Sequence, residues 1–342
     1  MGTLRILLST RFYKNGQTTH VTSLGVELLR QGHDVLLVIS HLHDPAFSRW
    51  LRRKRIPYVT TIDPRRLLRL VSKWQPQIIH NHSAHTIAAM TALGELLQVP
   101  IITTLHYLEF EAHALLAKQD AVIFISLEMK QRFSLPIPTF VVENGVQIPR
   151  IDRQKQAWRK DALFLAQVTP EKQKNFQKMS ESLLKWGWNV SSAGNWQIKG
   201  VNHLGWVNEV WPLLRTTNLV IGTGRAVREA MASGTPAWVL GVYSDGLVTP
   251  KNVNWLEETN FSGRCSRGAF REDEAAKYLE KPVPQKMQAL GTFGREHASK
   301  HYSIENMAET LCVIYEKCIA EKCRRTSQPE RNPKENVYRY IV

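Results

Sequence analysis

Short apolar runs alternate with amphipathic helical stretches along almost the whole chain, and this alternation constrains the fold more tightly than anything else in the sequence. An apolar run of four to eight residues has the length of a strand buried on both faces, and parallel strands must be joined by a crossover that is usually a helix. The alternation therefore predicts parallel α/β sheets. In the first half the predicted strands are Leu4–Ser9, Asp34–Ser40, Tyr58–Ile62, Gln77–His80, Ile101–Leu105, Ala121–Ile125 and Phe140–Val142. A helix over Gln17–Arg30 turns Val21, Leu24, Leu28 and Leu29 to one side and stops at Gly32, and another opens at Asp63-Pro64 with proline in its first position.

The rhythm breaks between Asn144 and Lys160, where Gly145, Pro149 and many charges replace apolar residues, so a linker is placed there. A second alternation follows. Its strands are Ala162–Gln167, Asn189–Ala193, a short one near His203, Asn218–Ile221 and Ala237–Leu240; its helices are Asn175–Lys185, Asn208–Arg215 and Ala226–Ser233. From Glu272 to Cys323 nearly everything reads as helix, and the Ser-, Pro- and Asn-containing tail after Arg324 reads as irregular. A chain of 342 residues suits two cores rather than one. The expectation is two Rossmann-like α/β domains, 1–147 and 161–323, with an irregular tail at 324–342.

No apolar run approaches the ~18 residues that cross a bilayer, and the chain opens directly into a strand without a signal-peptide pattern. Cys265, Cys312, Cys318 and Cys323 form no C-x-x-C pair and read as reduced thiols. A cytoplasmic setting is expected. The formal net charge is +15, which draws anions. Nine cations against one acid fall between Arg49 and Lys73, interleaved with Trp50, Leu51, Leu67, Leu70, Val71 and Trp74. Two readings stay open for this stretch: solvated helix faces, or contact with an anionic membrane surface, at the inner face of the membrane. No nucleic-acid module accompanies the charge, so nucleic acid is not expected as a partner.

Two groups of residues could carry chemistry. Asn218–Pro236 reads as a strand, the turn Gly222-Thr223-Gly224, and a helix closed by Gly234. Glycines at such a turn let backbone approach a ligand, and a helix start offers free N–H groups to a phosphate. Arg225 adds a forked donor there, and Glu229 stands one turn in, where a carboxylate can accept from sugar hydroxyls. A tight turn with a solvated Arg and Glu is the bland alternative. The third glycine of G-x-G-x-x-G is replaced by Val227, which argues against a nicotinamide cofactor. The second group is histidines: His80, His82 and His85, His41 and His43, and His106 at a strand end. They could ligate a metal, face a substrate cleft or serve structure. His106 is taken as a cleft residue, His82 as a possible one, and no metal is expected.

Glu229-Ala-Met-Ala-Ser-Gly-Thr-Pro236 resembles the E-A-M-A-x-G-x-P signature of the group 1 (family 4) glycosyltransferases. Further segments match in order over about residues 4–320: Gly16 with Thr18-Thr19-His20; Leu28–Val35; His80-Asn81-His82; Thr103–His106; Val142–Val146; Phe164–Lys172. The resemblance implies the two-domain GT-B fold, with C-terminal helices closing the second domain and crossing back to the first. It implies transfer of a sugar, with retention and without a metal or other cofactor, from a UDP- or GDP-sugar to a glycan, lipid-linked or small-molecule acceptor. His106 would be catalytic. Gly16, Lys172, Gly222, Thr223, Gly224, Arg225 and Glu229 would bind the donor, and Thr18, His20, His82, Asn144 and Arg264 would line the acceptor side or cleft. Two positions depart from the family: Ile221 replaces the first of its paired glutamates, and Ala166-Gln167 replaces its Gly-Arg. Those departures motivate two alternatives, a non-catalytic nucleotide-sugar-binding partner of another transferase and an epimerase or hydrolase on the same fold.

Overall fold

The computed structural model describes residues 2–110, 112–150 and 158–327. The first domain contains β1 (Arg5–Arg11), α1 (Gly16–Arg30), β2 (Asp34–Ser40), α2 (Pro45–Arg53), β3 (Tyr58–Val59), α3 (Pro64–Val71) and β4 (Ile78–Asn81). It continues through α4 (Ala84–Leu97), β5 (Ile101–Leu105), α5 (His113–Leu116), β6 (Ala121–Phe124), α6 (Leu127–Arg132) and β7 (Thr139–Val141). These seven strands form one sheet in the order β3-β2-β1-β4-β5-β6-β7, every pair parallel. Ile6, Leu7, Leu8, Ile78 and Ile79 have no exposed surface, as a sheet covered by helices on both faces requires.

The second domain contains β8 (Asp161–Ala166), α7 (Pro170–Lys185), β9 (Asn189–Gly194), β10 (Asn202–His203), α8 (Trp211–Leu214), β11 (Leu219–Gly222) and α9 (Arg225–Ser233). Then come β12 (Ala237–Leu240), β13 (Ser244–Leu247), α10 (Val253–Glu258), α11 (Glu272–Leu279), α12 (Pro284–His301) and α13 (Ile304–Ser327). The sheet order is β10-β9-β8-β11-β12-β13, parallel except for the antiparallel edge strand β13. In each sheet the strand order reverses beside the first strand, between β1 and β4 and between β8 and β11. Ligands of open α/β sheets bind at such switch points, outside the carboxyl ends of the strands.

Two expectations about boundaries need correction. Asn208–Arg215 was expected as one helix, but only Trp211–Leu214 is helical, with Pro212 in its first turn, and Asn208–Val210 forms loop against the cleft. The C-terminal helix runs through Arg324 to Ser327, beyond the expected start of the irregular tail; residues 328–342 lie outside the described part.

That last helix also belongs to the first domain's core rather than to the second domain. Ile304, Met307, Ala308, Leu311, Cys312, Ile314, Tyr315 and Cys318 pack with Leu24, Leu28 and Ile102 in a single cluster. The Tyr315 hydroxyl meets His80 Nδ1 at 2.6 Å, while His80 Nε2 meets Thr104 Oγ1 at 2.7 Å. The chain thus crosses between domains twice, and the crossings touch. Val146 N–H donates to Tyr302 O and Ile304 N–H donates to Val146 O, forming an isolated parallel bridge. Gly145 permits this approach, because a Cβ there would stand 2.8 Å from Ile304 Cα.

Tyr315→Phe should lower stability against urea by about 1–3 kcal/mol, the cost of leaving a buried imidazole nitrogen without a partner. An unchanged unfolding midpoint would mean that the contact does not anchor the returning helix.

Candidate active site in the interdomain cleft

The two switch points face each other across a cavity of about 390 Å³. Asn15, Gly16, Thr19 and Ser23 line it from the loop after β1 and from α1, with Trp50 and Lys54 beside them. On the other side stand Ala166 and Gln167 at the end of β8, Gly194 at the end of β9, Trp206–Val210 with Trp211 at the start of α8, and Arg225, Ala226 and Glu229 of α9.

The start of α9 is shaped as the glycine turn predicts, but the glycines themselves do not line the cavity. A Cβ on Gly222 would stand 2.5 Å from Leu165 O, so Gly222 allows β11 and β8 to pack, and Gly224 takes φ +56° beside Asn260. Thr223 accepts from Ala226 N–H, and α9 has no side-chain cap, so Arg225 and Ala226 meet the cavity at an uncapped helix start. Arg225 Nε donates to Glu229 Oε1 at 2.8 Å in a nearly buried ion pair. Its other nitrogens reach into the first domain, to Gly145 O at 3.1 Å and Ser23 Oγ at 3.1 Å. Burial pushes the Glu229 carboxyl above its usual range, and Arg225 pulls against that push.

The remaining expected residues scatter. Gly16 lines the cavity at the first turn of α1, where the Asn15 side chain accepts from Gln17 and Thr18 N–H. Thr18 is buried and accepts from Tyr13 N–H, so Thr19 rather than Thr18 meets the cleft. Lys172 donates weakly to Gln167 O at 3.4 Å, and burial first, with Arg264 second, depresses its ammonium pKa. Arg264 bonds Glu128 of the first domain at 2.6 Å, so it ties the domains together. Asn144 gives its carbonyl to Arg228, and its side-chain oxygen is buried without a partner. Ile221 is fully buried in the second domain's core.

His20, His82 and His106 converge from α1 and from the ends of β4 and β5. His82 Nδ1 lies 3.1 Å from His106 Nε2, and the His20 ring packs edge-on against His106 at 4.8 Å between centroids. Burial depresses all of them: His106 and His80 to about 3, His20 and His82 well below the ordinary histidine range. All are neutral near pH 7. Exposed His41 and His85 pack edge-on at 4.6 Å away from this group.

Two features escaped the sequence reading. Arg228 has no exposed surface. It donates to Asn144 O at 3.0 Å, pairs with Glu143 at 3.4 Å and stacks on Tyr302 at 4.4 Å and Phe261 at 5.6 Å. Its place one turn after Arg225 on the same helix was the available signal. The second is Glu209, which accepts from Trp50 Nε1 at 3.1 Å and pairs with Lys54 at 2.8 Å across the cavity mouth. Nothing in the spacing of residues 159 positions apart announces that contact.

Residues 14–150 match the family model described as Glycosyltransferase Family 4. No curated protein matches the chain. Solved structures share the fold over nearly all of both chains. HepE of Anabaena, in complex with UDP and glucose, is 15% identical with TM-score 0.65, covering 92% of this chain and 100% of that one. A glycosyltransferase from Rickettsia africae is 13% identical with TM-score 0.67, covering 93% and 99%. TarM of S. aureus, a mutant bound to Fondaparinux, alpha-GlcNAc-glycerol and UDP, is 11% identical with TM-score 0.68, covering 92% and 100%. The fold is that of the GT-B glycosyltransferases.

Replacing Arg228 leaves the Asn144 carbonyl without its donor and removes the stack on Tyr302, at a cost of about 1–3 kcal/mol, while Glu143, 36% exposed, can turn to water. Arg228→Ala should lower unfolding stability by that amount and uncouple the domains, read as a split calorimetric transition. A loss below about 0.5 kcal/mol, the level of ordinary surface changes, would mean that Arg228 does not hold the seam.

Proposed function

We propose that the chain transfers a glycosyl group, with retention, from a UDP- or GDP-sugar to a glycan, lipid-linked or small-molecule acceptor. One observation carries this reading: an uncapped helix start bearing Arg225 and Glu229 faces Gly16 across a cavity built at both switch points. The family match over the first domain and the UDP-bound relatives of the same fold support it. In this reading the diphosphate lies at the N–H groups of α9 with Arg225, and Lys172 adds charge from behind Gln167. Glu229 turns to the ribose hydroxyls and releases Arg225 for phosphate. Gly16 lets the backbone approach the sugar, and His106 contacts it. These groups act by positioning the reactants and stabilising the departing diphosphate.

A second reading is favoured by the mutual pairing of Arg225 with Glu229 and by Ile221 in the core: a chain that binds a nucleotide sugar without turning it over. Incubation with UDP- and GDP-sugars, following free nucleotide with and without acceptor, separates the readings. Release that needs acceptor means transferase, release without it means hydrolase, and binding without release supports the second reading. Arg225→Ala should weaken diphosphate binding by about 1.5–3 kcal/mol, the scale of a charge-assisted hydrogen bond, and the bare nucleoside far less. Equal losses would place Arg225 in loop support alone.

The acceptor side is proposed to approach an anionic membrane. Arg52, Arg55, Arg65, Arg66, Arg69 and Lys73 are exposed on α2, α3 and their flanks. Trp50 and Trp74 point inward, one onto Phe47 and Glu209 and the other into the first domain's core, so the attraction rests on charge and not on an aromatic belt. Among the described residues no helix is long and apolar enough to cross a membrane. Each engaged cation contributes roughly 1 kcal/mol. Co-sedimentation with anionic vesicles should weaken steeply between 0.1 and 1 M salt, where the Debye length falls from about 10 to 3 Å. It should also drop when Arg52, Arg66 and Arg69 become Gln. No binding at 0.1 M salt would sink the membrane proposal and leave the transferase reading standing.

A further inference from the structure

We propose that His20, His82 and His106 form a binding site for one transition-metal dication of the Zn²⁺ class. One ring nitrogen from each lies within 4.8 Å of those of the other two. The tightest pair, His82 Nδ1 and His106 Nε2, stands 3.1 Å apart. Two imidazole nitrogens bound to one ion at ~2.0–2.1 Å in tetrahedral or octahedral geometry are separated by about 2.9–3.4 Å. Side-chain torsions need only draw in the third ring.

The neighbouring His80 provides the contrast. Its ring stacks on His82 at 4.0 Å between centroids, yet both its nitrogens have protein partners, Tyr315 and Thr104. A histidine placed for structure is satisfied in that way. His20 Nδ1 is buried with no partner on a side chain 4% exposed, while His82 Nε2, also without a partner, is the nitrogen that carries the ring proton when Nδ1 faces an ion. The protein therefore leaves the hydrogen-bonding of the trio incomplete while it holds the main chain of its central member firmly. His82 N–H donates to Ser9 O at 2.8 Å, and Gln17 Nε2 donates to His82 O at 2.6 Å.

The charge balance permits a cation. The nearby arginines carry their own counter-charges, Arg225 in Glu229 and Arg228 in Glu143. Three imidazoles select borderline dications over Mg²⁺ or Ca²⁺, which prefer oxygen ligands. His106 is partly exposed, so a fourth position remains open to solvent or to an oxygen of a bound molecule. The site ties α1 to the ends of β4 and β5 and shares His106 with the sugar-transfer reading, so metal binding is tested without nucleotide or turnover.

Chelator-treated protein is titrated with Zn²⁺ by calorimetry and with Co²⁺ by visible absorption, without nucleotide. The expected result is one equivalent bound, Co²⁺ d–d bands without a thiolate charge-transfer band, and a higher melting temperature. His82→Gln and His20→Gln should each weaken binding at least tenfold, whereas His85→Gln, on the exposed pair with His41, should not. Circular dichroism verifies that each variant is folded. Should a variant fail to fold, the wild-type histidine NMR signals decide: all three rings shift on Zn²⁺ addition, or the proposal falls. Less than one equivalent, a thiolate band, or loss in His85→Gln alone overturns it as an adventitious ion only. Nucleotide-sugar turnover, assayed separately with and without Zn²⁺, does not enter these outcomes.

Discussion

Arg228 carries its guanidinium on a side chain with no exposed surface. Its guanidinium is clamped between the Tyr302 ring and the Asn144 carbonyl, the two points where the chain passes between domains. Desolvating such a charge costs several kcal/mol, which the hydrogen bond, the Glu143 contact and a buried cation–π stack of about 2 kcal/mol together offset. Tyr302 is fixed in turn by its hydroxyl bond to Glu257, which also accepts from His297 at 2.6 Å. Burial raises the Glu257 carboxyl, but the bonds from His297 and Tyr302 overcome that and leave it lowered, an anion at the centre of the seam. The Val146–Ser303 bridge lies inside this network, so the relative placement of the domains depends on it.

From that seam the cleft opens outward, and three further ion pairs or hydrogen-bond sets span it: Arg225 with Ser23 and Gly145, Arg264 with Glu128, and Glu209 with Trp50 and Lys54. They differ in character. The Arg225 contacts are nearly buried, whereas Glu209 is 40% exposed at its side chain, and surface pairs of that kind contribute ~1 kcal/mol or less. The Glu209 contact is therefore the weaker of the ties across the cleft, and the seam the stronger.

The strands and the two-sheet plan were legible in the sequence because both-face burial writes itself as continuous apolar runs: Val35–Ile39 and Ala121–Phe124 admit no other reading. The antiparallel strand Ser244–Leu247 was not, because an edge strand containing Asp245 and Gly246 carries no such run. The start of α7 at Pro170 was also missed, since its first turn buries almost nothing. The phosphate-type helix start at Arg225 was visible in glycine spacing. Which of its side chains face the cavity was not, because Arg225 and Arg228 look alike in sequence and differ in whether a second domain covers them.

The pairing of Arg225 with Glu229 connects the architecture to the chemistry. Each is the other's main compensation, so a ligand that takes one must supply for the other. A single anion would leave Glu229 buried without its cation, and a single hydroxyl would leave Arg225 short of an anion. A molecule carrying both a diphosphate and a neighbouring diol replaces the pair on both sides at once. Burial of the Glu229 carboxylate, which already raises its proton affinity, makes incomplete replacement costly. In the proposed reading this pairing would select against fragments of a nucleotide sugar and in favour of the whole, because discrimination is strongest where a missing group leaves buried polar atoms unpaired.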